Sequence, residues 1–155
     1  MEETSCKFVL EDINQLFAFA SDKVRWLDIA RDYVMIKEYF SLFGAGIESR
    51  NPEVMYFGIN VHNYSNTETT KGKLCALIDG GKILSFGGIE YISPDTWEMC
   101  AGSTHPQHRS KGFSKAVCSF LARYILENGR QAVCETNLDN HAAQKALREI
   151  GMLRL

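Results

Sequence analysis

Apolar residues recur at every third or fourth position between Asp12 and about Phe43, and this spacing is typical of amphipathic helices. Ser21-Asp22 interrupts the pattern and suits the N-cap of a second helix, which Gly44-Ala45-Gly46 would end. We therefore predict two helices in this part of the chain. Their apolar stripes consist of Ile13, Leu16, Phe17 and Ala20, followed by Trp26, Ile29, Tyr33, Ile36, Phe40 and Phe43.

Residues 47–72 carry weaker signals of secondary structure. Within them an apolar run at Val54–Val61 suits a short strand, and the polar run Asn63–Lys71 suits an exposed loop. From Lys73 the pattern changes to short apolar runs bounded by turn residues, which predict a hairpin and then a third strand. The predicted strands are Leu74–Ile78, Lys82–Ile92 and Trp97–Thr104, with turns at 79–81 and 93–95.

The last third of the chain predicts a long helix at Gly112–Asn128, a buried strand at Gln131–Thr136 and a short helix at Asn140–Ile150. Because a helix connects the third predicted strand to the fourth, these two strands should lie parallel. We expect an α/β fold with a mixed central sheet, made of N-terminal helices, a strand meander and a β-α-β-α half, with helices on both faces.

Composition excludes several classes of protein. A length of 155 residues suits one domain, and 45% hydrophobic with 23% charged residues is ordinary globular usage. The net charge of −2 argues against sequence-independent nucleic-acid binding. We see no signal peptide and no apolar run of about 18 residues, so we expect a cytoplasmic protein without membrane contact. The five cysteines lie mostly in apolar runs and suit buried thiols better than disulfides or metal ligands.

The segment His105–Ser114 carries the candidate chemistry, because it leads from a strand into the start of the long helix. A helix N-terminus offers unpaired N–H groups and a partial positive charge, and Arg109 and Lys111 add cations. Gly112 and the small Ser114 let a ligand approach the backbone. The loop suits a pyrophosphate, whereas the motifs of nucleoside triphosphatases and dinucleotide oxidoreductases are absent. The alternative is a plain helix start.

These residues resemble the acyl-CoA signature of the GNAT N-acetyltransferase superfamily over about Lys73–Met152. The signature reads Arg109-x-x-Gly112-x-Ser114, with Ser114 as a mild departure from a small glycine or alanine. A second similar segment follows at the expected separation. It consists of Cys134-Glu135-Thr136-x-x-Asp139-Asn140-x-x-Ala143, followed by Gly151-Met152. The resemblance implies one GNAT-like domain at 1–155, with a helical part at 1–72 and an acyl-CoA-binding part at 73–155.

The resemblance also implies roles for single residues toward acetyl-CoA. Main-chain groups of Ser103, Thr104 and His105 would pair with the pantetheine arm. Asn140 would contact the pantetheine, although it equally suits a plain N-cap. Glu98, eleven residues before Arg109, resembles the general base of the histone-acetylating branch, although it also suits a solvent-facing strand residue. The amides expected to hold the pyrophosphate belong to Arg109, Ser110, Lys111, Gly112, Phe113 and Ser114.

Two departures from the family pattern bear on function. Leu147 stands where many members have the tyrosine that protonates the leaving thiolate, and Tyr91 or a water would have to replace it. The family's last two strands are not visible after Met152, which would leave a sheet edge suited to pairing with a second copy.

Three functions remain open from the sequence. The first is an N-acetyltransferase acting on a primary amine of a small molecule or peptide. The second is a non-catalytic CoA-binding regulatory module. The third is a helical interaction protein without CoA affinity. Some aromatic residues could line an acceptor pocket, although their helical spacing is more typical of core. They are Trp26, Tyr33, Tyr39 and Phe40.

Overall fold

The computed structural model describes residues 4–17, 19, 21–28, 30–42, 73–100 and 104–155. The predicted strand at 54–61 and loop at 63–71 lie outside these ranges. Within them the chain forms seven strands and three α-helices, together with short 3-10 turns at Ile13–Gln15 and Pro106–His108. In chain order the elements are β1 (Ser5–Leu10), β2 (Val24–Trp26), α1 (Tyr33–Ser41), β3 (Lys73–Asp79), β4 (Lys82–Tyr91), β5 (Thr96–Cys100), α2 (Phe113–Glu127), β6 (Gln131–Asn137), α3 (His141–Glu149) and β7 (Leu153–Arg154).

The strands form one mixed sheet in the order β2-β3-β4-β5-β6-β1-β7. Strands β5 and β6 run parallel, with Thr96 beside Gln131 and Met99 beside Cys134, and α2 makes the crossover between them. The other pairings among the described strands are antiparallel. The expected parallel pair is therefore confirmed, as is the hairpin of β3 and β4.

The two predicted N-terminal helices are wrong for most of their length. Ile13–Gln15 forms a single 3-10 turn, and Val24–Trp26 is an edge strand that pairs with β3 from Val24 beside Leu77 to Trp26 beside Cys75. The helix itself begins only at Tyr33. The apolar spacing was misleading because strand pairing with residues about fifty positions away satisfies the backbone of 24–26, and local periodicity does not report such partners.

The first strand, β1, was not predicted, and it changes the end of the sheet. Cys6, Phe8 and Leu10 alternate into the core, and β1 lies antiparallel to β6 with Phe8 beside Cys134. Strand β7 then pairs with the outer side of β1. The position beside β6, which we expected to be open to a second copy of the chain, is therefore covered by β1. After Met152 the chain adds the two-residue strand β7 at the outer edge of the sheet.

Two hydrophobic clusters hold the layers together. The larger cluster lies between the sheet and helices α2 and α3, and the smaller one lies between the sheet and α1. Trp26 packs edge-on against Phe120 and Tyr124, and Tyr39 is buried beside Phe86. Trp26 and Tyr39 are therefore core residues rather than pocket lining. The buried free thiols, as expected from the apolar runs, are those of Cys6, Cys75, Cys118 and Cys134. Among the described helices, none has the length and apolar character to span a bilayer.

Candidate functional site

The loop between β5 and α2 approaches the helix through an unusual backbone. Ser110 has a φ of 65° and Gly112 a φ of 80°, and both values are left-handed. The left-handed backbone conformation costs a residue with a side chain about 1 kcal/mol, and such strain is common where a loop is shaped for binding. Left-handed residues in a turn help to arrange successive N–H groups around a concave anion site. Ser110 and Gly112 are therefore consistent with a loop built to present amides.

The first turn of α2 presents its amide groups without a side-chain cap. Gly112 holds the N-cap position, and the first intrahelical bond runs from the amide of Ala116 to the carbonyl of Gly112 over 3.1 Å. The N–H groups of Phe113, Ser114 and Lys115 precede that bond. In the part of the chain that the structure describes, we find no acceptor bonded to them. Unpaired amides and the helix dipole together suit a phosphate ligand.

These amides open on a cleft of about 740 Å³ between α2 and α3. This volume is in the range of sites for nucleotide-sized ligands. The cleft brings together the predicted binding residues except Ser103, which is outside the described residues, and His105 and Lys111, which lie beside it. Its lining consists of Thr104, His108, Arg109, Ser110, Gly112, Phe113, Ser114, Lys115, Asn140, Ala142, Ala143, Lys145, Ala146 and Glu149.

Asn140 lines the cleft and also caps α3. Its Oδ1 accepts a hydrogen bond from the amide of Ala143 over 3.1 Å, so the N-cap interpretation is confirmed. On the opposite wall the ring of Phe113 packs against the core, which leaves its main chain for a ligand. The wall formed by α3 is lined by small side chains, Ala142, Ala143 and Ala146, which leave room for a ligand.

The charge at the loop comes from Arg109 and Lys111. Arg109 donates from Nε to the carbonyl of Thr104 over 3.3 Å, which folds its side chain back over the loop. Lys111 is exposed, and its Nζ lies 3.4 Å from Nδ1 of His108. Burial and then the neighbouring Lys111 and His105 lower the pKa of His108, so its imidazole is mainly neutral at pH 7.

The main chain beside the cleft is only partly available to a ligand. The amide of His105 donates to the carbonyl of Leu84 over 2.7 Å, and the carbonyl of His105 accepts from His108 over 2.8 Å. A ligand that used the main chain of His105 would have to compete with these bonds. Thr104 forms an isolated antiparallel bridge with Ser85. Because His105, its neighbour, makes the bond to β4, the amide of Thr104 points away from β4.

The pairing of β5 with β6 is short within the described residues. Their register ends at Met99 and Cys134, while β6 continues to Asn137 with only β1 beside it among the described strands. Met99 and Cys134 are therefore the last paired residues of these two strands in the described part of the sheet.

Glu98 lies one residue before Met99, the last described residue of β5 that pairs with β6, and is half-buried. It faces away from α2, because its neighbours Trp97 and Met99 pack in the core beneath that helix. Glu90, which is only 8% exposed, is its direct cross-strand partner on β4. The structure thus places two carboxyl groups on one face of the sheet beside the end of the parallel pairing.

Neither Leu147, at the family's tyrosine position, nor Tyr91, its expected substitute as the proton donor, lies on the same side of the sheet as Glu98. Leu147 is 1% exposed in the core beneath α2 and carries no hydroxyl group. Tyr91 packs edge-on against Trp97 on the face of α2, with ring centroids 4.5 Å apart. Burial and then Tyr124 raise the pKa of Tyr91 to about 12, which makes it a weak proton donor at neutral pH.

Sequence reasoning missed the charged group at the far wall of the cleft. Nζ of Lys115 on α2 lies 2.6 Å from Oε2 of Glu149 on α3, and Nζ of Lys145 lies 3.8 Å from Oε1 of the same carboxylate. Lys115 follows the signature directly, and Lys145 precedes Glu149 by one helical turn. These spacings were visible, but only the packing of α2 against α3 brings the three residues into one cleft.

The chain matches the model of the "Acetyltransferase (GNAT) family" over residues 33–152, well over half of its length. We find no curated protein whose sequence matches it. Among solved structures, an acetyltransferase from the GNAT family from Colwellia psychrerythraea aligns with a TM-score of 0.71 and 18% identity over 99% of this chain. A GCN5-related N-acetyltransferase from Kribbella flavida aligns with a TM-score of 0.64 and 13% identity over 97% of it.

A third structure, described as a predicted acetyltransferase with acetyl-CoA from Clostridium acetobutylicum, has a TM-score of 0.56 and 13% identity over 83% of this chain and 87% of that one. At these identities the likeness concerns the fold. The chain spans about half the length of the first two structures, 53% of the Colwellia chain and 54% of the Kribbella chain.

Proposed function

This chain belongs to the GNAT acetyltransferase family, and we propose that it transfers an acetyl group from acetyl-CoA to a primary amine of a small molecule or peptide. The observation that carries this proposal is the uncapped first turn of α2, which opens on the cleft beside Asn140. The likeness to a fold solved with acetyl-CoA supports the choice of donor.

We assign the pyrophosphate of CoA to the amides from Arg109 to Ser114. A charge-assisted hydrogen bond to such an anion contributes roughly 1.5–3 kcal/mol, so several amides in one turn suffice for firm binding. Asn140 would contact the pantetheine with its side-chain amide while its Oδ1 caps α3. Thr104, and Ser103 before it, would pair with the arm through main-chain groups, because the main chain of His105 is engaged within the protein.

Acetyl-CoA supplies the activated thioester carbonyl. The remaining requirement is a proton acceptor, because an amine attacks only in its neutral form. We assign that role to Glu98, directly or through a water, since it is half-buried near the end of the described pairing of β5 with β6. The family resemblance implies that the pantetheine arm lies between these two strands. The half-buried carboxylate of Glu98 supports this assignment.

One observation favours a second candidate, a CoA-binding regulatory module that does not catalyse transfer. The described residues offer no evident proton donor near Glu98. Leu147 replaces a tyrosine common in the family and is buried in the core. Tyr91 lies on the face of the sheet opposite to Glu98 and its cross-strand partner Glu90. The leaving thiolate would then have to take its proton from water. A protein that needs only to sense CoA has no use for such a donor.

Calorimetric titration with CoA and acetyl-CoA, followed by release of free thiol across a panel of primary amines, tests both candidates. Ligand at 100 times its dissociation constant should raise the free energy of unfolding by about 2.7 kcal/mol. Binding with turnover on at least one amine supports the transferase. Binding without turnover on any amine supports the module, and absence of binding overturns both.

A further inference from the structure

The ion pair at the far wall of the cleft has no role in the function proposed above. The side chains of Lys115 and Glu149 are 27% and 33% exposed, and they meet over 2.6 Å across the two helices. Lys145 approaches the same carboxylate. One carboxylate is therefore shared by two ammonium groups, and the three together carry a net charge of about +1. The bond from Lys115 also holds the pKa of Glu149 below its usual range, so this carboxylate is ionised at neutral pH.

The position of Lys115 is fixed before any ligand arrives. Its Nζ lies 4.7 Å from the centre of the Phe19 ring, a cation–π distance. Phe19 is in turn held by the hydroxyl of Ser119, which accepts a hydrogen bond from the Phe19 amide over 3.2 Å. An ammonium group positioned in this way loses little freedom when it binds an anion.

CoA carries one phosphate more than the pyrophosphate that is assigned to the loop in the function proposed above. In the function proposed above, the amides of the first turn of α2 bind the pyrophosphate, whereas the ribose bears a separate 3′-phosphate with a charge of roughly −1.5 to −2 at pH 7. This phosphomonoester needs cations beyond the loop. Resting on the proposed function, we propose that Lys115 and Lys145 bind the 3′-phosphate of CoA and release Glu149 when they do so.

The exchange is physically reasonable because a phosphate dianion attracts ammonium groups more strongly than a single carboxylate does. Glu149 keeps the two lysines apart from weaker anions, so the cleft favours ligands that carry the additional phosphate. Glu149 is thus a selectivity residue, and Lys115 and Lys145 are its ligand-binding partners.

A second hollow of about 650 Å³ on the other side of the loop provides a matched control. It is lined by Lys23, which pairs with the carboxylate of Asp79 over 3.0 Å. The two hollows therefore each contain a lysine–carboxylate pair beside the same amides. Lys145→Gln and Lys23→Gln remove one exposed lysine from each.

Calorimetry with CoA and 3′-dephospho-CoA provides the test, with Kd as the readout. We expect the wild-type protein to bind CoA about tenfold more tightly than 3′-dephospho-CoA, as for one charge-assisted contact. Lys145→Gln should cut this ratio about threefold, and Lys115→Gln should bring it close to one. Glu149→Gln should raise the affinity for CoA a few-fold, whereas Lys23→Gln should leave the Kd of both ligands unchanged.

The outcomes separate this inference from the proposed function. If neither ligand binds, the proposed function fails and the 3′-phosphate site fails with it. If both ligands bind equally, the loop site stands and the inference about Lys115 and Lys145 is wrong. An effect of Lys23→Gln in place of Lys145→Gln would put the phosphate in the other hollow and would also overturn it. Because the Lys145 side chain is 79% exposed, its variant tests the site without disturbing the fold.

Discussion

The α carbon of Gly151 lies against the main-chain carbonyl of Gln15, so that a β carbon at position 151 would overlap with that oxygen. Gly151 also has a φ of 102°, which side chains rarely adopt. Next to this contact, the amide of Phe17 donates to the carbonyl of Ile150 over 3.0 Å. The N-terminal segment is thereby held across the end of α3, and this placement brings Phe19 beneath Lys115 at the cleft.

Replacing Gly151 with alanine should destabilise the fold by about 3 kcal/mol, because both the overlap with Gln15 and the backbone strain have to be relieved. Gly129 is the matched control, since its φ is 72° but no atom would lie within 4 Å of an added β carbon. Gly129→Ala should cost only about 1 kcal/mol. Urea unfolding of both variants measures the difference, and equal losses would show that the contact with Gln15 adds nothing.

A buried carboxylate that is paired with a partly exposed arginine makes the fold sensitive to acid. Asp32 is 4% exposed and receives two 3.0 Å bonds from the guanidinium of Arg25. The guanidinium of Arg25 holds the pKa of Asp32 well below its usual range. Because the unfolded pKa is about 4, this stabilisation is present above pH 4 and is lost as the pH falls further.

Asp32→Asn should therefore lower the free energy of unfolding by roughly 2–4 kcal/mol at pH 7 and flatten its decline between about pH 5 and pH 2. Asp79→Asn breaks a pair whose side chains are about half exposed, so it should have little effect. Denaturant unfolding across this pH range gives the comparison. An acid decline in Asp32→Asn as steep as in the wild type would contradict the assignment.

Lys111 gives the cleanest test of charge at the loop, because its side chain is exposed and outside the core. Lys111→Glu should weaken CoA binding at least tenfold through repulsion of the pyrophosphate, with the melting temperature unchanged. Arg109 is less suitable, since it also bonds to the carbonyl of Thr104. The control is Lys82→Glu at the exposed start of β4. An equal effect from both substitutions would point to general charge rather than to the loop.

Glu98→Gln separates binding from chemistry. If Glu98 accepts the proton of the amine, turnover should fall about 10²–10⁴-fold while the Kd of CoA stays within about twofold. The acidic limb of the pH–rate profile should disappear with it. Glu127→Gln, at the exposed end of α2, should keep both rate and profile. Full activity of Glu98→Gln would remove this residue from the mechanism.

The sequence predicted those parts of the molecule whose signals are local. The hairpin of β3 and β4, helix α2 and the loop from Arg109 to Gly112 are each specified by a few adjacent residues. Strand β1 was not predicted and β2 was predicted as part of a helix, because their pairing partners are distant in sequence, as Phe8 beside Cys134 illustrates. Short strands take their identity from such pairing rather than from their own propensity.

The candidate site likewise has parts that adjacent residues specify and parts that depend on contacts between distant elements. The amides of α2 follow from the signature, and Asn140 follows from its place before a helix. The ion pair of Lys115 and Glu149 depends on how α2 packs against α3, and no spacing along the chain reports this packing. The engaged main chain of His105 likewise depends on its bond to Leu84.

The central claim is that main-chain amides in the first turn of α2 hold a pyrophosphate. ¹H–¹⁵N correlation spectra recorded during a titration with CoA observe these amides one by one. We predict the largest downfield shifts at the amides of Gly112, Phe113 and Ser114, with amides on β1 and β7 unchanged. Saturable CoA binding that leaves the α2 amides unmoved, or no binding at all, would contradict the account.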